Sequence, residues 1–427
     1  MDNFAFLPIQ FFIERSQKYG DIFAFRIGRQ KAYFIKHPDH IKEVLVTKQA
    51  NFVKEDFLKR GKFILGNGLI TSEPEVHRRQ RRMIQPGFHQ KRIEGSAATM
   101  VAFSKKTSDG FVDGSSLDMS AEMLHLTLRI VAKTLFNADI EKDAQDFGEV
   151  LTTFLDLFNM LVFPMDTSGD RPPDMTAAEI QAARQKIDNI IYRLISERRA
   201  SGEDTGDLLS LLMQATDHGK GMSDELVRDE MVTLFLAGHE TIANALTWSW
   251  YLLSQDAETE AKFHEELDRV LPDGREPTMK DVRSLEFTRK VLVESMRLYP
   301  PVWILGRLAI ADVQIANRNI PKDSIIVMSQ YITHRDPKNF ADAGSFIPDR
   351  WTDEMKEKLP AFAYFPFGGG SRKCIGEQFA LTEGILVLAT LGRKWRFRRA
   401  IKAKPEPLFL LTLRPNGPLE LVAESRV

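Results

Sequence analysis

The chain has 427 residues, with 58 basic against 59 acidic side chains and a formal net charge of −1. That balance points to neither nucleic acid nor an anionic membrane as a partner. Hydrophobic content of 43% is ample for a core, while the length leaves two domains or one large domain open. A single cysteine excludes an internal disulfide framework and suits a reducing cytoplasm.

No secretory signal is visible. The apolar start from Phe4 to Ile13 contains Pro8 and Gln10 and is too short to span a bilayer. It reads as a packed N-terminal segment or as an amphipathic lip at a membrane or substrate entrance. Asp21 to Ile27 and Lys31 to Lys36 are β-prone runs around Gly28-Arg29-Gln30, a hairpin pattern. Pro38-Asp39 opens a helix through Val46, and Ala50 to Pro74 is irregular, glycine-containing text.

His77-Arg78-Arg79-Gln80-Arg81-Arg82-Met83 follows, closed by Pro86-Gly87. Such an arginine run normally means a solvated face. On a helix, however, His77 and Arg81 lie four apart and point one way, while Arg78 and Arg82 form a neighbouring row. One row can face an internal anion and the other an external partner.

Ser120 to Phe136 and Ala144 to Phe163 read as helices, followed by a helix-breaking loop from Phe163 to Met175. A further helix runs to about Arg199. Ser223-Asp224-Glu225 has capping chemistry and opens helical text to about Ser254, roughly 45 Å at 1.5 Å per residue. This helix is apolar on several faces, so it should be buried and central. Ala237-Gly238-His239-Glu240-Thr241 interrupts its apolar pattern, and such violations mark either a capped kink or a functional site. Val282 to Leu298 is another helix, stopped by Pro300-Pro301 and carrying Glu294 and Arg297 at pairing distance. Val313 to Ile315 and Ser324 to Met328 read as a second hairpin. Thr333 to Pro366 is turn-rich; a helix over 377–392 and a strand-like tail complete the chain.

The lone cysteine stands in Phe367-Gly368-Gly369-Gly370-Ser371-Arg372-Lys373-Cys374-Ile375-Gly376. A lone thiol is often an inert core filler. Here three glycines permit unusual backbone geometry beside a bulky partner, and two adjacent cations favour the thiolate. The helix start at Gly376-Glu377 adds a favourable dipole.

Four motifs coincide in order: Ala237 to Thr241, Glu294-Ser295-Met296-Arg297, Pro348-Asp349-Arg350-Trp351 and the cysteine loop. Together they closely resemble the cytochrome P450 family of heme-thiolate monooxygenases, over nearly the whole chain from about Phe12. The resemblance implies a mainly α fold with small β-sheets, with heme held between the long central helix and the helix after the cysteine loop. It implies one domain over 1–427, with a β-rich N-terminal lobe of about 12–50 plus 302–335. The chain begins later than most members, and a soluble, cytoplasmic, bacterial type without a transmembrane segment is expected.

Residue by residue, the resemblance makes Cys374 the axial ligand of the heme iron, with Phe367 near the sulfur and Gly376 behind it. His77, Arg81, Arg307 and Arg372 match propionate-binding positions, His77 standing where many members have tryptophan. Ala237 and Gly238 would lie over the heme, Gly238 leaving room for oxygen. Glu240 and Thr241 resemble the acid–alcohol pair that supplies protons during oxygen activation. Glu294, Arg297 and Arg350 resemble a buried structural charge network. His239, His37, His40 and His334 read as non-ligands in turns, caps or the helix interior.

Residues Val302, Trp303, Ile304 and Leu305, parts of 52–70, and 155–165 are expected near the substrate. Those four and, within 155–165, Leu155, Leu157, Phe158, Met160, Leu161 and Phe163 are apolar, which indicates a lipophilic molecule such as a fatty acid, alkane, terpenoid or steroid, with a lean toward long-chain lipid hydroxylases. The cofactor would be heme b (iron protoporphyrin IX). One cysteine cannot hold an iron–sulfur cluster and no Gly-x-Gly-x-x-Gly follows a strand, so two electrons must come from a ferredoxin or flavodoxin with its NAD(P)H reductase. Arg78, Arg79, Arg82 and Lys373 would dock it. A peroxide-driven peroxygenase and a non-catalytic heme-thiolate sensor or binding protein are the alternatives; retention of the acid–alcohol pair favours O2.

Overall fold

The computed structural model describes residues 9–55, 61–138, 177–217, 219–400 and 404–426. The expected helix over 144–163, the loop after it, and the pocket residues of 155–165 lie outside them.

Helix α1 (Ile9–Tyr19) precedes the hairpin of β1 (Ile22–Ile27) and β2 (Gln30–Ile35), whose turn places Gly28 at φ +57°. Phe12 of α1 packs 4.9 Å from the Phe34 ring and 5.7 Å from the Phe25 ring, so the helix covers one face of the hairpin. Helix α2 (Pro38–Lys42) continues as a π-helical turn over Glu43–Thr47, and His37 caps it by accepting from the Asp39 amide. Strand β3 (Phe52–Val53), the short α3 (Lys62–Leu65), α4 (Pro74–Ile84) and α5 (Gln90–Asp109) follow.

No clear apolar periodicity marks α5 in the sequence. Its apolar stripe, Ile93, Ala97, Met100 and Val101, is diluted by glycine, serine and threonine. The hydroxyls are accommodated inside the helix: Ser104 donates to the Met100 carbonyl at 2.7 Å.

Strand β4 (Ser116–Asp118), α6 (Met119–Phe136), α7 (Ala177–Ser201), α8 (Leu208–Gln214) and the two-residue strands β5 (Thr216–Asp217) and β6 (Lys220–Gly221) lead to the central helix α9 (Asp224–Leu253). Ser223 caps α9 by accepting from the Leu226 amide at 3.2 Å. The helix stays helical through Ala237–Thr241, so the motif interrupts the apolar pattern and not the backbone. Phe235 stacks on Phe136 of α6 at 4.3 Å, and Trp248 stacks on Tyr299 at 3.9 Å. Aromatic pairs of this kind add about 0.5–1.5 kcal/mol beyond area burial.

Helices α10 (Ala257–Val270) and α11 (Glu286–Leu298) precede β7 (Leu305–Ala309), β8 (Val313–Ile315), β9 (Arg318–Ile320) and β10 (Ile325–Met328). The expected pairing of β8 with the 324–328 run does not form. β8 pairs with β9, turning at Ala316 with φ +50°, while β10 lies between β2 and β7 in a sheet of order β1-β2-β10-β7-β3. The reason is burial. Every residue of β10 is buried, and a strand covered on both faces belongs in a sheet interior. Short helices α12 (Gln330–Thr333) and α13 (Asp353–Lys358) lead to α14 (Glu377–Gly392), which packs against α5, α11 and α9. Strand β11 (Trp395–Arg399), also unanticipated, pairs with β14 (Glu420–Ser425). The hairpin of β12 (Pro407–Phe409) and β13 (Leu413–Pro415) lies between them in sequence.

One buried charge cluster ties α11 to the segment before α13. Glu294 binds Arg297 through two contacts of 2.9 Å, Arg350 at 2.9 Å, and the Trp351 indole N–H at 2.9 Å. Arg297 also donates to the carbonyls of His334, Ala343 and Ser345. Trp351 belongs to the cluster because it satisfies a carboxylate oxygen, a role the bare Glu-x-x-Arg spacing does not reveal. His334 is buried here and accepts from the Phe365 amide at 2.9 Å. Glu294→Gln leaves Arg297 and Arg350 buried without their counter-charge. We expect it to lower unfolding free energy by about 3–5 kcal/mol in a denaturant titration; an unchanged midpoint would refute this role.

Candidate active site

The chain folds around a cavity of about 1020 Å³. Cys374, Gly376, Phe367, His77, Arg81, Arg307, Arg372, Ala237, Gly238, Glu240, Thr241 and Val302 to Leu305 all line it. These come from positions up to 300 residues apart in sequence. Glu294, Arg297 and Arg350 stand outside it.

The cysteine loop is held by the Cys374 amide donating to the Phe367 carbonyl at 2.9 Å and by Lys373 donating to Gly370 at 3.1 Å. Gly368 and Gly370 adopt φ of +68° and +67°. A Cβ at Gly370 would also collide with the Leu45 carbonyl of the π-helical turn, and one at Gly369 with the Phe362 ring. The loop is therefore wedged between two earlier segments, and glycine is required on steric grounds. The sulfur opens to the cavity while protein encloses it elsewhere. Burial pushes the thiol up; the Gly376 N–H, Arg81 and Lys373 pull it down, while Glu377 pushes up. The flanking cations alone thus do not make a free thiolate here, and Arg372 turns elsewhere. A bound metal cation would overcome the desolvation.

Cations converge on the same cavity. Arg81 donates to the Lys373 carbonyl at 2.7 Å, and Arg372 donates to the Ser72 carbonyl at 2.8 Å with Glu73 at 3.7 Å. Lys54, unanticipated, donates to the Ile70 carbonyl, and its pKa falls to about 7 through burial and then the fields of Arg372 and Arg307. Arg372 falls to about 10 for like reasons. His77 is pushed down to about 3 by burial and by Arg372, Lys54 and Arg81, so it is neutral. The one carboxylate from this cluster that lines the cavity is Glu55, held above the usual range by burial, with Oε2 unpartnered. Lys54 and Glu55 stand in irregular text, where no motif or periodicity marks them.

The opposite wall is α9. Thr241 donates back to the Ala237 carbonyl at 2.7 Å. Glu240 accepts from the Thr412 hydroxyl at 2.7 Å. A Cβ at Gly238 would meet Val131 of α6 at 3.1 Å, so the space this glycine saves lies toward α6 and not above the cavity. His239 turns away, its Nδ1 3.1 Å from the Phe235 carbonyl, and burial lowers its pKa to about 4.

Leu69 and Ile70 form part of the wall. Their loop is clamped by two buried acids of α9: Asp229 accepts from the Asn67 amide at 2.7 Å and Glu230 from the Leu69 amide at 3.0 Å. Beneath them Arg228 donates to Asp188 and to the Ile64 carbonyl. On the outer face of α4, Arg82 pairs with Asp217 at 2.8 Å and Arg79 donates to the carbonyls of Lys220 and Gly221. These two arginines hold the β5–β6 hairpin, which changes the expectation that they form a free docking row. Arg78 is exposed.

With this geometry in hand, the comparisons agree. The family model for cytochrome P450 matches residues 7–421. Cyclooctatin synthase of Streptomyces melanosporofaciens is 37% identical over 426 residues, covering 98% of this chain and 92% of the relative. Cyclooctat-9-en-7-ol 5-monooxygenase of the same organism is 36% identical (98% and 91% covered), and pentalenene oxygenase of Streptomyces avermitilis 34% (97% and 92%). The chain belongs to the cytochrome P450 family. It is a monooxygenase. Among the described residues no helix is long and apolar enough to cross a membrane.

The family implies a heme, and the residues present fit one. The cavity offers one soft sulfur donor, largely apolar walls, and the cations Lys54, Arg81, Arg307 and Arg372, crowded closely enough that Lys54 and Arg372 are depressed by their neighbours. Buried like charges need an anion among them, and two propionates meet that need.

The clamp acid Glu230 titrates near pH 8, against 4.5 for an ordinary glutamate, mainly through burial and then the field of Asp229. The folded chain therefore holds an extra proton between those values, and stability falls as pH rises across them. Glu230→Gln cannot ionise, so its melting midpoint should match wild type near pH 5 and exceed it increasingly toward pH 8.5. A gap that does not widen with pH would contradict this.

Proposed function

We propose that heme b lies in this cavity with Cys374 as the axial iron ligand. Arg81, Arg307, Arg372, Lys54 and neutral His77 would hold the propionates, Phe367 and Gly376 support the sulfur, and Ala237 and Gly238 face the other side. The observation that carries this reading is the convergence of one sulfur and four cations on a single cavity. Bound there, heme supplies reductive activation of O2, one oxygen atom entering a C–H or C=C bond and the other leaving as water.

The chain's own part is to position and to deliver protons. Thr241 commits its hydroxyl proton to Ala237, so its oxygen accepts hydrogen bonds from the cavity and donates only after rotating away. Glu240 is the nearby acid that resupplies the proton. Val302, Trp303, Ile304 and Leu305 shape the lipophilic end, with the Trp303 indole N–H fixed on the Leu410 carbonyl at 2.6 Å.

Similarity to a cyclooctat-9-en-7-ol monooxygenase and a pentalenene oxygenase moves the substrate class we propose from long-chain lipids to a terpenoid. Apolar walls alone discriminate weakly, so size and shape would set selectivity. Electrons come from a separate ferredoxin or flavodoxin with its NAD(P)H reductase, in the cytoplasm. Arg78 and Lys373 are the exposed cations of the expected docking set that are not tied to the β5–β6 hairpin, although Lys373 pairs with Glu377 at 2.5 Å. An exposed pair of this kind is worth little and yields to a partner's acid.

Cys374→Ala should abolish the red-shifted Soret band of the reduced carbon monoxide complex; its survival would refute the ligand. Thr241→Ala should divert most reducing equivalents to hydrogen peroxide, measured per NADPH oxidised with a surrogate reductase, and unchanged coupling would refute the relay. A terpenoid panel read by the heme spin-state shift tests the substrate class.

A further inference from the structure

The β12–β13 hairpin does more than wall the cavity with Phe409, Leu411 and Thr412. Its tip is anchored on both sides: the Leu410 carbonyl accepts from the Trp303 indole, the Leu413 amide donates to the Pro301 carbonyl at 2.9 Å, and the Leu413 carbonyl accepts from the Trp248 indole at 3.2 Å. Between these anchors the Thr412 hydroxyl donates to Glu240 Oε1 at 2.7 Å and accepts from Asn244 Nδ2 at 3.1 Å. Glu240, Asn244 and Thr412 are only 3%, 4% and 4% exposed. Glu240 and Asn244 are one turn apart on α9, and a residue more than 160 positions away closes the bridge between them.

We propose that Thr412 is a positioning residue for the acid Glu240, with Asn244 setting the direction of its hydroxyl. A hydroxyl has one proton, and an amide nitrogen only donates. Asn244 therefore occupies an acceptor lone pair of Thr412 and steers its single proton to Glu240. That bond holds the carboxyl group in one rotamer, and in a dry site it counts for more than in water. The acid is thus held by a hairpin that also walls the cavity. This inference rests on the reading of Glu240 as the proton donor.

The test uses the heme-loaded enzyme, with carbon monoxide as the infrared probe of the reduced protein and peroxide yield per NADPH as the second readout. Thr412→Val, close in shape, should broaden or split the C–O stretch. It should also slow proton delivery by about fivefold, the equivalent of one lost hydrogen bond, and so raise peroxide. Thr412→Ser restores the hydroxyl and should restore both readouts. Glu240→Gln should perturb both; Trp248→Phe, which removes an anchor but keeps Thr412, should leave both unchanged.

If Glu240→Gln has no effect, the acid assignment fails, and this inference with it. If Glu240→Gln acts but Thr412→Val matches wild type, only the inference fails. It also fails if Thr412→Ser does not rescue, or if Trp248→Phe reproduces Thr412→Val, because the hairpin then acts merely as an anchor. Should Thr412→Val not fold, Asn244→Leu takes its place, with the same perturbations expected and their absence overturning the proposal.

Discussion

Like charge gathered in a buried place is the constraint on which the rest of this structure depends. Lys54, Arg81, Arg307 and Arg372 come from four separate stretches, yet they share one cavity, where Arg372 and Arg307 lower the proton affinity of Lys54 and Arg307 and Arg81 lower that of Arg372. Each is restrained by a backbone carbonyl: Ile70 for Lys54, Lys373 for Arg81, Gly306 for Arg307, Ser72 for Arg372. Neutral carbonyls orient the cations without cancelling their charge; Glu73, 3.7 Å from Arg372, offsets part of it, and the remainder stays available to an anionic ligand. The five-stranded sheet brings Arg307, α4 brings Arg81, and the cysteine loop brings Arg372 with the sulfur.

The buried acids divide into distinct physical roles. Glu294 is saturated with partners and stays a structural counter-ion. Asp229 and Glu230 each give one oxygen to a backbone amide, closing a loop onto the cavity wall, while the second Asp229 oxygen accepts from Arg228. Glu383 of α14 is fully buried with both oxygens unpartnered, and burial holds it neutral. Glu240 alone among these lines the cavity, and its orientation comes from another element.

Much of the site was legible because its chemistry needs unusual local text. Three glycines before the only cysteine, and Gly-His-Glu-Thr inside an apolar helix, break local rules in ways that few other folds explain. Isolated residues were not legible. Lys54, Glu55 and Thr412 carry no motif; what makes them important is what stands opposite. Gly238 shows the reverse case: the motif marks it, while a Cβ there would meet Val131 of α6. Four-residue spacing separates the faces of α4, yet it does not reveal that Arg79 and Arg82 are engaged by a hairpin two residues per strand long.

By itself the sequence determined the family, the sulfur ligand candidate and the long central helix, because these depend on local backbone needs and on spacing along one helix. Tertiary structure decided the partner of β10, the membership of the cation cluster, and the bridge from Thr412 to Glu240. Each of these is a pairing between distant segments. Burial and hydrogen-bond satisfaction choose such partners in three dimensions, and no periodicity along the chain records the choice.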